Sequence, residues 1–212
     1  RAAVKEHLPT TFNFAQTVAL IAAADPPPRA RPPRSRARVV LLGDSHILPI
    51  AWRTVGRDLQ LVPLLAVGLK AYHFGSASAG RREHAILAAH LAALPPSAAV
   101  CIVSCGEIDC RPDVGVHRAL ARGRYASLEA AADALACGVV ERLESVSTWH
   151  GRFFLHPVRP PPRSAWAVDE AAQPPYDARA SVRALNGAFA ARCASSDRVA
   201  VLDFAESLES SS

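Results

Sequence analysis

Ser45 sits in Gly43-Asp44-Ser45-His46, directly after the apolar run Val39-Val40-Leu41-Leu42. That order places a hydroxyl at the carboxyl end of a predicted buried strand, where open α/β sheets bind their ligands. Gly43 permits a tight turn, Asp44 can hydrogen-bond the turn backbone, and Ser45 can open the next element facing the crevice. A serine hydroxyl becomes a nucleophile only when a base takes its proton, and the tetrahedral oxyanion that follows needs donors fixed in advance. The chemistry such a position supports is acyl transfer. The same tetrapeptide also reads as an ordinary helix N-cap, so a second feature has to decide.

That feature is the run Ala98-Ala99-Val100-Cys101-Ile102-Val103-Ser104-Cys105, which leads into Gly106-Glu107-Ile108-Asp109-Cys110-Arg111. Two apolar strands thus end in turns that carry a glycine and an acid. In order and spacing these blocks resemble the SGNH hydrolase superfamily, the GDSL esterases and lipases. Gly43-Asp44-Ser45 matches the first block in full, and Gly106 and Asp109 match the third, in which Ile108 replaces an oxyanion-binding Asn. Gly68, within Ala66-Val67-Gly68-Leu69-Lys70-Ala71-Tyr72, is taken as the second-block glycine in preference to Gly75. Gly-Glu-Ile-Asp-Cys-Arg is similar to a variant third block, and the resemblance covers about residues 37–208.

The resemblance implies an esterase that hydrolyses carboxylic esters, including acetyl groups on a glycan, through an acyl-enzyme on Ser45. Ser45 would supply the nucleophile and its own amide, Gly68 a second amide, and no cofactor or metal is implied. Ile108 cannot donate, and the loss of one oxyanion donor costs about 3 kcal/mol of transition-state stabilisation. A backbone amide of the turn, or a donor placed by Cys110 and Arg111, could substitute; Arg111 is preferred, because its guanidinium would also hold an anionic or sugar-linked substrate. The superfamily takes its base from an Asp-x-x-His after the last strand. Here Val199-Ala200-Val201-Leu202-Asp203-Phe204 reads as that strand, and Asp203 is followed by Glu206. A chain that begins with Arg1, contains no Met and stops in serines reads as processed or truncated, so a base beyond residue 212 is one expectation.

Within the chain His156, at the end of a strand before Pro157, is the preferred base. His73 follows the Gly68 loop as a pocket-lining residue. His46 adjoins Ser45 but points elsewhere at a helix start, and His117 reads as surface. Glu107 and Asp109 are acids at the crevice, with a helix cap as the plainer role for Asp109. Asn186 resembles an Asn common before the last strand of the superfamily, and a surface polar residue is the alternative. A catalytically silent domain serving as a binding or assembly module is the competing function; Ile108 and the departure at Asp203 both favour it.

The elements that must position these residues alternate. Strands are predicted near 38–43, 59–67, 98–105, 152–157 and 198–203, and helices near 46–57, 80–94, 127–147 and 178–194. Leu128, Ala131, Ala132, Leu135, Val139 and Leu143 recur at helical spacing. Parallel strands with helices between them give an α/β fold: a doubly wound, flavodoxin-like sheet of about five strands with helices on both faces. The domain runs over 38–212, behind an N-terminal helical extension (1–24) and a Pro/Arg-rich linker (25–37). The proline-rich stretch 157–175 is a loop on the crevice side, and Trp52, Trp149 and Trp166 read as packing anchors.

Composition narrows the classes. A chain of 212 residues with 50% hydrophobic and 20% charged residues can fill one sizeable core. The net charge of +5 is uneven, because five arginines fall between Arg29 and Arg38. No aromatic residue interleaves them to stack on bases, so nucleic acid is disfavoured as a partner. Five cysteines form no secreted disulfide framework and favour a reducing compartment. A metal site or a local disulfide at Cys105 and Cys110 is the minor reading. The run Ala15–Ala24 is too short to cross a bilayer, which needs about 20 apolar residues, so a soluble protein is expected. Expected partners are a small-molecule or glycan ester and, through the N-terminal helix, a protein.

Overall fold

The computed structural model describes residues 37–44, 47, 51–55, 59–75, 82–111, 115–158 and 177–202, all in one compact unit that starts at Ala37. Its strands are β1 (Ala37–Gly43), β2 (Thr54–Val55), β3 (Leu59–Leu65), β4 (Val100–Ser104), β5 (Arg152–Leu155) and β6 (Val199–Val201). The helices are α1 (Tyr72–Gly75), α2 (Arg82–Ala92), α3 (Val116–Ala121), α4 (Leu128–Glu144) and α5 (Ala178–Cys193), with a 3₁₀ turn at Ile108–Cys110.

The sheet order is β2-β3-β1-β4-β5-β6. β3, β1, β4, β5 and β6 are mutually parallel, and the two-residue β2 joins β3 antiparallel at the edge. Counting only the parallel strands, the order is 2-1-3-4-5, the doubly wound flavodoxin-like α/β arrangement. The chain runs outward from β1 to β3 and then crosses back to β4. The neighbouring carboxyl ends of β1 and β4 are therefore the topological switch point, where such sheets open a crevice.

Strand periodicity sorts the core. Val40, Leu42, Cys101, Val103, Phe153, Leu155 and Val199 project to one face and pack with Leu87 and Leu91 of α2, Leu135 and Val139 of α4, and Leu185 and Phe189 of α5. Residues of the opposite parity, Leu41 and Leu61, form a smaller cluster with Ile47. α4 forms where the apolar repeat predicts it, and Ser127 caps it by accepting the Ala130 amide at 3.1 Å. Asp177 caps α5 by accepting the amides of Arg179 and Ala180. Trp149 is a packing anchor: it is 2% exposed, and its indole N–H donates to the Ala98 carbonyl at 2.8 Å. No helix of the described residues is long and apolar enough to cross a membrane.

The helix expected over 46–57 is corrected. Residues 51–53 form a turn and Thr54–Val55 form β2. Trp52 takes a left-handed φ of 63° and donates its amide to the Leu61 carbonyl, while Leu61 donates back to the Arg53 carbonyl. Pairing with the β3 edge satisfies backbone groups that a helix would have used internally. Trp52 is 58% exposed and anchors no core, contrary to its reading from the sequence. Trp166, the N-terminal helix, the Pro/Arg-rich linker and most of the 157–175 loop lie outside the described residues.

Candidate active site

β1 and β4 lie side by side in a register that pairs Gly43 with Ser104 and, on the other side of β1, with Leu65 of β3. The turns carrying the three sequence blocks therefore leave the sheet from adjacent strands at one edge. Ser45 and His46 lie outside the described residues, as do Asp203 and Glu206. The residues on either side of Ser45 and His46 are placed: the Ile47 amide donates to the Asp44 carbonyl at 3.2 Å, and Ile47 is buried.

Gly43 is required by space. A Cβ there would lie 2.7 Å from Ile47 Cγ2 and 2.9 Å from the Ser104 carbonyl oxygen, closer than real Cβ atoms approach. Its own carbonyl accepts the Ala66 amide at 2.7 Å, which ties the loop after β3 to the end of β1. Asp44 is buried, with 5% exposed, and its charge reaches the thiol of Cys105. Burial holds that thiol well above its ordinary range, and the carboxylates of Asp109 and Asp44 push it in the same direction. Cys105 and Cys110 are both free and buried, so no disulfide closes the turn.

Gly68 sits in the loop after β3 with φ +73°, and the space where a Cβ would point is open. Its turn is closed by the Leu69 amide donating to the Ala66 carbonyl. Gly106 also has a positive φ, +101°, and a Cβ there would lie 2.8 Å from Leu185 Cδ2 and 2.9 Å from Val158 Cγ2. Only glycine fits both the backbone and the packing at this position. Val158 is held in turn by Asn186, whose side-chain amide accepts from the Val158 N–H and donates to its carbonyl, both at 2.8 Å. Asn186 is thus a half-buried clamp on the loop after β5 rather than a surface residue.

Asp109 does more than cap a turn. Its Oδ2 accepts the Ala71 amide at 2.6 Å and its Oδ1 accepts the Tyr72 amide at 3.3 Å, so the third-block turn holds the loop that carries Gly68. Burial pushes its carboxyl up to about 6, against the pull of those two amides and of Lys70. Arg111 pairs with Glu107 through Nε to Oε1 at 3.2 Å and Nη2 to Oε2 at 2.8 Å. The guanidinium keeps 42% side-chain exposure beyond that pair.

The two histidines separate by their hydrogen bonds. His73 is buried, and its Nδ1 accepts the Lys70 amide at 3.2 Å, which leaves the proton of the neutral ring on Nε2. The ring also lines the cavity beside the Gly68 loop. His156 is half-buried one residue beyond β5, and its amide donates to the Val103 carbonyl at 2.8 Å. Because Leu155 pairs with Val103, His156 falls in the row of Ser104 and Gly43 at the carboxyl rim.

The sequence reading missed a basic cavity of about 250 Å³ beside the Gly68 loop, into which Lys70, Arg118, Arg122 and Arg124 converge with Tyr72 and Tyr125. The recurrence of Arg118 and Arg122 four residues apart, with Arg124 and Tyr125 following, was the available signal. No protein-family model matches the chain, and no curated protein matches it by sequence.

Proposed function

We propose that the chain is an SGNH-type serine hydrolase that cleaves carboxylic esters, with Ser45 as nucleophile. The observation that carries this reading is the pairing of Gly43 with Ser104: the first and third blocks leave neighbouring strands at the switch point. The hydrogen bonds from Ala71 and Tyr72 to Asp109, and from Ala66 to Gly43, supply a reason for the blocks to be kept together.

In this mechanism Ser45 Oγ attacks the ester carbonyl while its proton passes to a base. The developing oxyanion takes hydrogen bonds from the amides of Ser45 and Gly68. Collapse expels the alcohol, which recovers the proton, and water then releases the carboxylic acid and restores the serine hydroxyl. His156 is the base in this scheme. It stands two strand spacings from Gly43, about 10 Å of backbone separation, a gap for the side chains of residues 45 and 156 to close. Full-length protein is expected to hydrolyse p-nitrophenyl acetate, with kcat/KM falling by a factor of about a thousand or more in Ser45→Ala. Turnover unchanged by that substitution would remove Ser45 from the chemistry.

A second reading is a silent domain of the same fold that binds without catalysis. Ile108 favours it, since an alkyl side chain stands where the superfamily carries a donor and Arg111 is engaged with Glu107.

A further inference from the structure

The cavity beside the Gly68 loop is unusual in its charge. Lys70 comes from the loop after β3, Arg118 from α3, Arg122 from the cap of that helix, and Arg124 from the turn that follows. Four cations from two segments of the chain, Lys70 and the stretch 118–124, thus line one space of about 250 Å³. Among the described residues its one acidic lining residue is Asp109, whose two oxygens already accept backbone amides. Among the described residues Lys70, Arg122 and Arg124 have no ion-pair partner, whereas Arg111, Arg183 and Arg192 each face a carboxylate. Cations gathered in excess of the one carboxylate of Asp109 repel one another, and a bound anion relieves that repulsion.

The walls add a second constraint. Val116 and Leu135 give the cavity an apolar side, while Arg118, Arg122 and Arg124 stay exposed to solvent. An adjoining hollow shares Tyr72, Tyr125 and Leu135 with it and is lined further on by the paired Asp133 and Arg192. The two spaces meet at the tyrosines, one cationic and the other polar, with Asp133 and Glu141 facing Arg192 alone. Such a pair suits a ligand with a doubly charged head and an uncharged polar body.

We infer that this cavity binds the phosphate group of a small phosphate monoester of a polar ring compound, with Arg118, Arg122, Arg124 and Lys70 around the phosphate and the ring against Tyr72 and Tyr125. Arginine forks match phosphate oxygens in pairs, and tyrosine faces carry a sugar-like ring. The site lies at the carboxyl ends of β3 and β4, the side of the sheet where such folds take ligands. The inference does not depend on Ser45 chemistry.

The test is calorimetric titration of the full chain with glucose 6-phosphate, inorganic phosphate and glucose as probes at low and high salt. Glucose 6-phosphate is expected to bind at least tenfold more tightly than glucose and several-fold more tightly than inorganic phosphate, with affinity falling as salt rises. Arg122→Gln with Arg124→Gln should weaken it at least tenfold. Arg142→Gln with Arg183→Gln, which removes the same charge elsewhere, should change it less than twofold. Both double variants alter exposed side chains, and an unchanged melting temperature would establish that each folds. No binding, equal losses in the two double variants, or inorganic phosphate bound as tightly as the sugar phosphate would overturn the proposal.

Discussion

Asp109 Oδ2 lies 2.6 Å from the amide nitrogen of Ala71, across 38 residues of sequence, and fastens the turn after β4 to the loop after β3. A buried carboxylate that accepts two amides of a neighbouring loop sets the spacing between Gly106 and Gly68. Asp109→Ala leaves the Ala71 amide buried without its acceptor, at a cost of about 1–3 kcal/mol. Urea denaturation should show the midpoint lowered with the slope unchanged, and ester hydrolysis should fall more than tenfold. A variant as stable as the parent would contradict this role.

The same residue gives a pH dependence of defined sign. Its ordinary value of 3.8 is raised by burial to about 6, so the folded protein favours the protonated form. Between those values the folded state binds more protons than the unfolded state, and Asp109's contribution to stability falls as pH rises, by up to about 3 kcal/mol. Above about pH 6 the contribution is constant. Asp109→Asn removes it, so the difference in unfolding free energy between variant and parent should move in the variant's favour from about pH 4 to pH 6 and then level. Parallel curves over that interval would contradict the assignment.

Two glycines give opposite expectations. A Cβ added to Gly75 at the end of α1 would lie 2.8 Å from Gly138 Cα in the middle of α4, so the two backbones meet directly. Gly138→Ala forces them apart and should cost about 1–3 kcal/mol. Gly187 in α5 has nothing within 4 Å of an added Cβ. Gly187→Ala should stabilise by about 0.5–1 kcal/mol through helix propensity alone. Thermal melts of the two variants should shift in opposite directions.

Asn186 is a clamp with a specific consequence. Asn186→Ala removes two hydrogen bonds to Val158, whose side chain abuts Gly106. The expected loss is about 1–3 kcal/mol, since both buried backbone groups lose their partner. Hydrogen exchange should show the Val158 amide deprotected ahead of the Phe153 and Leu155 amides in β5. Unchanged protection at Val158 would sink the clamp.

Much of the frame could be read from the chain. The runs at Val39–Leu42 and Val100–Val103 and the repeat from Leu128 to Leu143 encode their elements locally, through their period. The adjacency of β1 and β4 follows from the crossover order of a doubly wound sheet. What failed was set by partners distant in sequence. Trp52 and Thr54–Val55 carry no local sign that the edge of β3 will claim them. Asp109 was legible as an acid in a turn but not as the acceptor of Ala71 and Tyr72, because that bond joins loops from different strands. The basic cavity was hidden for the same reason: Lys70 and Arg124 are 54 residues apart in the chain and meet only through α3 and the β3 loop.

The central claim is that residue 45 carries an activated hydroxyl. Incubation of the full-length, folded protein with a fluorophosphonate probe, followed by peptide mass spectrometry, tests it directly. The account predicts a near-stoichiometric adduct on the peptide containing Ser45, absent in Ser45→Ala and suppressed when p-nitrophenyl acetate is present in excess. An unlabelled Ser45 in protein shown to be folded, or an adduct that persists in the Ser45→Ala variant, would contradict it.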